Sequence, residues 1–246
     1  MEKFYKKLPL VKWYDPNLKS ANEVKAFELS EYLGLHKVPP TISVPAEGDN
    51  YVVRQQFAEK TRPLAGRASR DDYAPRESAV FDGMIGNIDR FRDGLGPGSG
   101  RAVNNILVNQ NGEVTLIDHE DAFRDDGYKE FNDGYQVTDD DIYASFERRE
   151  VLDKFLDTDW DKYADDNLSV LSEAERNAFV ERTSKLQEHT RRLINEIGGR
   201  DEFMAKAQEV RTEARLKMAI QYKFAAPDSA SSAYGDEPPG ATGGCE

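Results

Sequence analysis

The sequence predicts an α+β fold, with strands gathered in its first half and helices dominating its last third. Three observations predict it. Short β-branched and aromatic runs bounded by Pro, Gly or Asn lie at 8–14, 38–44, 51–57, 106–108 and 114–117. Apolar residues recur with helical spacing after Ser20, after Pro75 and between Ser172 and Phe224. A chain of 246 residues is long enough for one large domain or for two lobes sharing a cleft.

Taken in order, the stretch LPLVKWY reads as a strand carrying Lys12, and Ser20 opens a helix that Gly34 closes. Ser20 and Glu23 also have the spacing of a capping box, in which Glu23 would satisfy the helix's first N–H groups. Val38 to Val44 and Tyr51 to Phe57 are the next strands, and the second of these is open to reading as an edge strand. Residues 58–74, polar and rich in Arg, read as a loop. Pro75 suits a first helical turn, and Val80, Phe81, Met84, Ile85 and Ile88 then recur with a helical period that delivers Asp89 and Arg90 at its end. Asp82 and Asn87 on this helix are expected to bond the loop backbone. The run Gly94 to Gly100 fits neither GxGxxG nor GxxxxGK[ST], and reads as a flexible insertion.

Next comes a hairpin. Ile106 to Val108 and Val114 to Ile117 flank Asn111-Gly112, a dipeptide suited to the positive φ angles of a type I′ turn. With Asn111 and Gly112 as its two central residues, Val108 faces Thr115 and Asn105 faces Asp118. Directly opposed residues have Cβ atoms roughly 5 Å apart. An amide oxygen and a carboxylate at that separation can share one Mg²⁺, which takes oxygen ligands and keeps sites for phosphate.

The segments FDGMIGNIDR, NNILV and GEVTLIDHEDAF together resemble the catalytic segment of the atypical kinases, a group that includes phosphatidylinositol 3- and 4-kinases, actin-fragmin kinase, secretory-pathway kinases and persistence-toxin kinases. NEVKAFELSEYLGLHKVPPTI extends the resemblance to roughly residues 10–123. It implies a two-lobed kinase-like fold with a reduced N-lobe at 1–57, a helical C-lobe at 58–226, and a tail from 227. It also implies ATP- and Mg²⁺-dependent phosphotransfer to a hydroxyl acceptor. Asp89 would orient the hydroxyl, Arg90 would fix the loop, and Asn105 and Asp118 would hold the metal. Lys12, paired with Glu23, would hold the ATP phosphates, although Lys12 also fits a solvated basic cluster with Lys3, Lys6, Lys7 and Lys19.

The pattern departs from the family in four places. Eleven residues precede Lys12, too few for two strands and a Gly-rich loop, and the Gly94 to Gly100 run separates Asp89 from Asn105. Phe91 stands where many relatives have His. His119-Glu120-Asp121 follows Asp118 where many have Gly, so the two added carboxylates either help hold a second metal or face water. His119, next along the chain from the metal Asp, is expected to point to the other face. Two alternatives therefore stand beside the kinase: a pseudokinase acting as a nucleotide sensor or scaffold, and transfer of AMP on the same scaffold.

Composition excludes other classes. A net charge of −13 disfavours nucleic acid or an anionic membrane surface as partner. Cys245 is the one cysteine, so no disulfide framework or Cys-based zinc site is possible within the chain. No run approaches the roughly 20 apolar residues of a membrane span, and no signal-peptide pattern opens the chain, so a cytoplasmic protein is expected. Residues 124–168 are acidic and aromatic. Asp157, Asp159 and Asp161 imitate the start of a calcium loop, but Lys162 and Leu168 occupy its Gly and Glu positions, so it reads as a solvated acidic loop with Phe155, Trp160 and Tyr163 packing inward.

Ser172 and Glu175 form a capping box for a helix whose apolar face is Phe179, Leu186 and Leu193, and Gly198-Gly199 ends it. A second helix starts at Asp201. From Pro227 the composition is that of a disordered tail.

Overall fold

The computed structural model describes residues 3–6, 16–45, 51–56, 58, 60–63, 73–87, 105–125 and 137–224. Lys12, Asp89, Arg90, Phe91, the Gly94 to Gly100 run and the tail from Pro227 lie outside the described residues. Among the described residues, seven helices and two three-stranded antiparallel sheets form a mixed, mostly helical fold.

The first sheet runs β1-β3-β2, from β1 (Lys3–Lys6), β2 (Thr41–Pro45) and β3 (Tyr51–Gln56). β3 is thus its central strand and not an edge. Helix α1 (Pro16–Leu33) packs against β2 and β3 and begins before Ser20. Ser20 is buried within the helix, so the capping-box reading of Ser20 and Glu23 is overturned. Ala26, Leu29 and Leu33 recur at helical spacing on the buried face. The helix ends in a Schellman motif: Gly34 takes φ +74°, its N–H donates to the Glu31 carbonyl, and the Leu35 N–H donates to that of Ser30.

The second sheet runs β4-β5-β6, from β4 (Thr61–Pro63), β5 (Ile106–Asn109) and β6 (Val114–Leu116). The stretch read as a loop between 58 and 74 therefore contributes a strand, paired antiparallel to β5. The β5–β6 hairpin is present, but its register is one residue off the expected one. Ile106 pairs with Leu116, Leu107 with Thr115 and Val108 with Val114. The loop holds three residues, Gln110, Asn111 and Gly112, with Gly112 at φ +78° and its N–H donating to the Asn109 carbonyl. The side-chain oxygen of Asn109 accepts from the N–H groups of Asn111 (2.9 Å) and Glu113 (3.0 Å), and this closes the longer loop.

Burial explains the choice. The observed register places Ile106, Val108, Val114 and Leu116 on one buried face, whereas a one-residue slip would have turned Thr115 and Ile117 inward.

Helix α2 (Tyr73–Ile85) is the centre of the fold, buried on all sides from Glu77 to its end. Its C-terminus repeats the Schellman geometry, with Gly86 at φ +63°, Gly86 N–H to Gly83 O (3.3 Å) and Asn87 N–H to Asp82 O (2.9 Å). Asp82 and Asn87 are both buried here.

From 137 to 168 the acidic stretch is mostly helical and not a solvated loop: α3 (Asp139–Ser145), α4 (Arg149–Asp157) and α5 (Trp160–Asn167). Asp159 caps α5 by accepting from the Lys162 N–H (3.0 Å), which is what the calcium-like spacing does here. Phe155, Trp160 and Tyr163 are buried, as expected, and pack with Phe179 and Phe123 into an aromatic core. Gln187 seals the end of α4 by donating to the carbonyls of Phe155 (3.0 Å) and Leu156 (2.9 Å).

Helix α6 (Glu173–Ile197) starts with the capping box of Ser172 and Glu175 and ends at Gly198, at φ +107°. Phe179, Leu186 and Leu193 line its buried face, and α7 (Arg200–Phe224) follows.

Candidate functional site

The hairpin presents Asn105 and Asp118 at its open end. The N–H of Ile117 donates to the Asn105 carbonyl (3.0 Å), so Asn105 stands opposite Ile117 and Asp118 lies one position further along. The direct pairing of Asn105 with Asp118 is thus corrected by one residue. In a regular pleat this offset would put the two side chains on opposite faces. The pleat does not continue: β6 ends at Leu116, and Asp118 takes φ +65°, in the left-handed region. Strand alternation therefore no longer dictates where its carboxylate points. A residue other than Gly held in this conformation costs about 1 kcal/mol or more, and such residues concentrate at functional sites.

Asn105 and Asp118 are half-buried, whereas His119 is fully buried. Its ring packs edge-on to Phe81 of α2, with centroids 6.0 Å apart. Its Nδ1 lies 3.5 Å from Oε2 of Glu23, itself buried on α1. His119 accordingly faces the interior. Glu23, expected to serve either a lysine or a helix cap, meets His119.

Two more α1 side chains reach the same segment. The Asn22 side-chain amide donates to the carbonyls of Glu120 (3.1 Å) and Ala122 (2.8 Å). The ammonium of Lys19 lies 3.3 Å from a Glu120 oxygen and 3.4 Å from one of Asp121. The two carboxylates after His119 therefore engage Lys19, a helix cation, where a second metal or open water was expected. None of these links was visible in the sequence, since each joins residues about a hundred positions apart and no local pattern marks them.

A donor set of one amide oxygen and one carboxylate suits Mg²⁺, which commonly binds through one or two protein oxygens plus substrate phosphates. No cluster of three or more His, Cys, Asp or Glu able to hold a metal occurs among the described residues. No helix among them is long and apolar enough to cross a membrane.

A second charged group lies beside a small apolar cavity bounded by Leu33, Met84, Leu116, Phe146 and Phe155. There the Lys37 ammonium contacts the buried carboxylate of Glu77, and Arg211 and Arg215 approach the same carboxylate at 3.7 and 3.9 Å. Burial, with Arg211 close by, lowers Lys37 to about 7, while Glu147 pulls it upward. Neither Asn105 nor Asp118 lines this cavity.

No protein-family model, no curated protein and no solved structure matches this chain.

Proposed function

We propose that the protein is an ATP- and Mg²⁺-dependent phosphotransferase acting on a hydroxyl acceptor, built on a two-lobed kinase-like scaffold. One observation carries this reading: the hairpin brings Asn105 and Asp118 to one end, with Asp118 released from the strand by a positive φ. Bound Mg²⁺ would neutralise charge on the β and γ phosphates. Asp89, two positions past the buried Asn87 that follows α2, would take the hydroxyl proton as the acceptor oxygen bonds to the γ phosphorus and ADP leaves. Such a base typically contributes about 10²- to 10⁴-fold in rate. Lys12 would add positive charge at the phosphates, and Arg90 would fix the loop.

A nucleotide-sensing pseudokinase is the second reading, and a specific observation favours it. Glu23, which the kinase reading reserves for Lys12, lies against His119. AMP transfer on the same scaffold uses the same metal pair and differs in the group moved.

The test is calorimetry of ATP with and without Mg²⁺, on the intact chain and on Asp118→Gly, followed by mass analysis of any modified acceptor. Mg²⁺-dependent binding lost in the variant, with a phosphate-sized mass gain on the acceptor, is the expected result. Binding without transfer moves the assignment to the sensor, and an AMP-sized gain to the nucleotidyl transferase. Absence of Mg²⁺-dependent binding in the intact chain overturns the reading.

A further inference from the structure

Arg182 of α6 is buried, with 3% of its surface exposed, although it is a charged residue on a helix whose outer face is polar. Its guanidinium reaches two chain segments that meet nowhere in the sequence. Nε donates to the Met84 carbonyl at the end of α2 (3.2 Å), and Nη1 donates to the Arg124 carbonyl (3.1 Å). The first segment continues into the Gly86 turn and the buried Asn87. The second is the chain that leaves Asp118, and its Phe123 N–H bonds the Ile85 carbonyl directly.

Gly86 fits this arrangement. A Cβ at that position would stand 2.8 Å from Arg182 Cζ, so the guanidinium lies flat against the glycine where the helix turns away. Phe123 takes φ +63° at the same junction. A planar guanidinium with several fixed donors can hold two carbonyls in a set relation, which a lysine ammonium cannot do with the same geometry.

We infer that Arg182 is a positioning residue for the candidate site: it fixes the segment that follows Asp118 against the end of α2. It touches neither metal nor substrate and acts through those two segments. The inference rests on the phosphotransferase reading. Removing a group that orients metal ligands from behind typically weakens metal affinity by about 10- to 100-fold.

The experiment uses the full chain and the variants Arg182→Met and Arg182→Lys. ATP affinity is measured by calorimetry with and without Mg²⁺, and folding is followed by urea denaturation of the same samples. The expected result is a drop of roughly 10-fold or more in the Mg²⁺ enhancement of ATP affinity in Arg182→Met. Metal-free ATP affinity should stay unchanged, and Arg182→Lys should recover part of the loss. An enhancement equal to that of the intact chain in a folded Arg182→Met overturns the role of Arg182. So does a parallel fall of both affinities, which a purely structural role would produce. If Arg182→Met does not fold, Arg182→Lys, which keeps the charge and the stem, decides the matter on the same two affinities. Absence of any Mg²⁺ effect in the intact chain overturns the phosphotransferase reading and this role with it.

Discussion

Glu23 and His119 meet inside the protein, with Oε2 and Nδ1 3.5 Å apart, both residues buried and one position separating His119 from the candidate metal carboxylate. Through this pair, with Asn22 and Lys19, the first helix grips the chain that leaves the hairpin. Removing the carboxylate takes a charged neighbour from a buried imidazole and leaves space in a packed interior. Glu23→Ala is therefore expected to lower stability by about 1–3 kcal/mol in urea denaturation. Glu23→Gln, which keeps the shape and a hydrogen-bonding oxygen, should lose less. Equal stability of Glu23→Ala and the intact chain would show that the contact contributes nothing.

Asp118 invites a substitution that separates chemistry from strain. At φ +65° a glycine is comfortable and an alanine is not. Asp118→Gly should keep stability within about 1 kcal/mol of the intact chain while abolishing Mg²⁺-dependent ATP binding. Asp118→Ala should lose the same binding and also melt earlier. Thermal unfolding and calorimetry on both variants check this, and retained Mg²⁺ dependence in either removes Asp118 from the metal site.

Lys37 predicts a pH dependence. Its ordinary value of 10.5 is lowered to about 7 in the folded protein, chiefly by burial and next by Arg211. Glu147 pulls the other way, and Arg215 adds to the lowering. Between those two pH values the unfolded chain holds more protons than the folded one, so stability rises with pH. The penalty for charged Lys37 is fully present below pH 7 and is relieved towards pH 10.5. Urea midpoints at pH 7 and pH 9 should therefore increase for the intact chain, and by less for Lys37→Met. Identical pH slopes in the two proteins would refute the assignment.

Gly86 is expected to tolerate no side chain. It combines φ +63° with a Cβ position 2.8 Å from Arg182. Gly86→Ala should cost about 1–3 kcal/mol, more than an alanine at an unstrained helix end. The comparison is Gly86→Ala in the Arg182→Met background, where the clash is relieved and the penalty should shrink. An unchanged penalty would assign the whole effect to φ.

Several elements were legible because their causes are local. The capping box of Ser172 and Glu175 needs four residues, and Gly34 and Gly198 end their helices through their own φ angles. The alternating Ile106, Val108, Val114 and Leu116 announce a hairpin without any knowledge of what covers it. Even there the loop is one residue longer than the Asn111-Gly112 pair implies, because the Asn109 side chain closes a three-residue turn.

Between 139 and 167 the acidic composition masked the helices unequally. Val151, Leu152, Phe155 and Leu156 recur with helical spacing in α4, a local signal that was there to read, whereas Ile142 and Trp160 stand in stretches too polar to define a period and are buried only once α2, α6 and α7 surround them.

The sequence by itself determined the mixed helix-and-strand class, the hairpin, the capping box of Ser172 and Glu175 and the candidate pair Asn105 and Asp118, since these depend on near neighbours, spacing and residue chemistry. The tertiary structure alone decided the hairpin register, the meeting of Glu23 with His119, the grip of Lys19 and Asn22, and the reach of Arg182 to Met84 and Arg124. The physical reason is the same in each case: these contacts join segments far apart along the chain, and burial in a shared core selects among arrangements that local propensity leaves nearly equal.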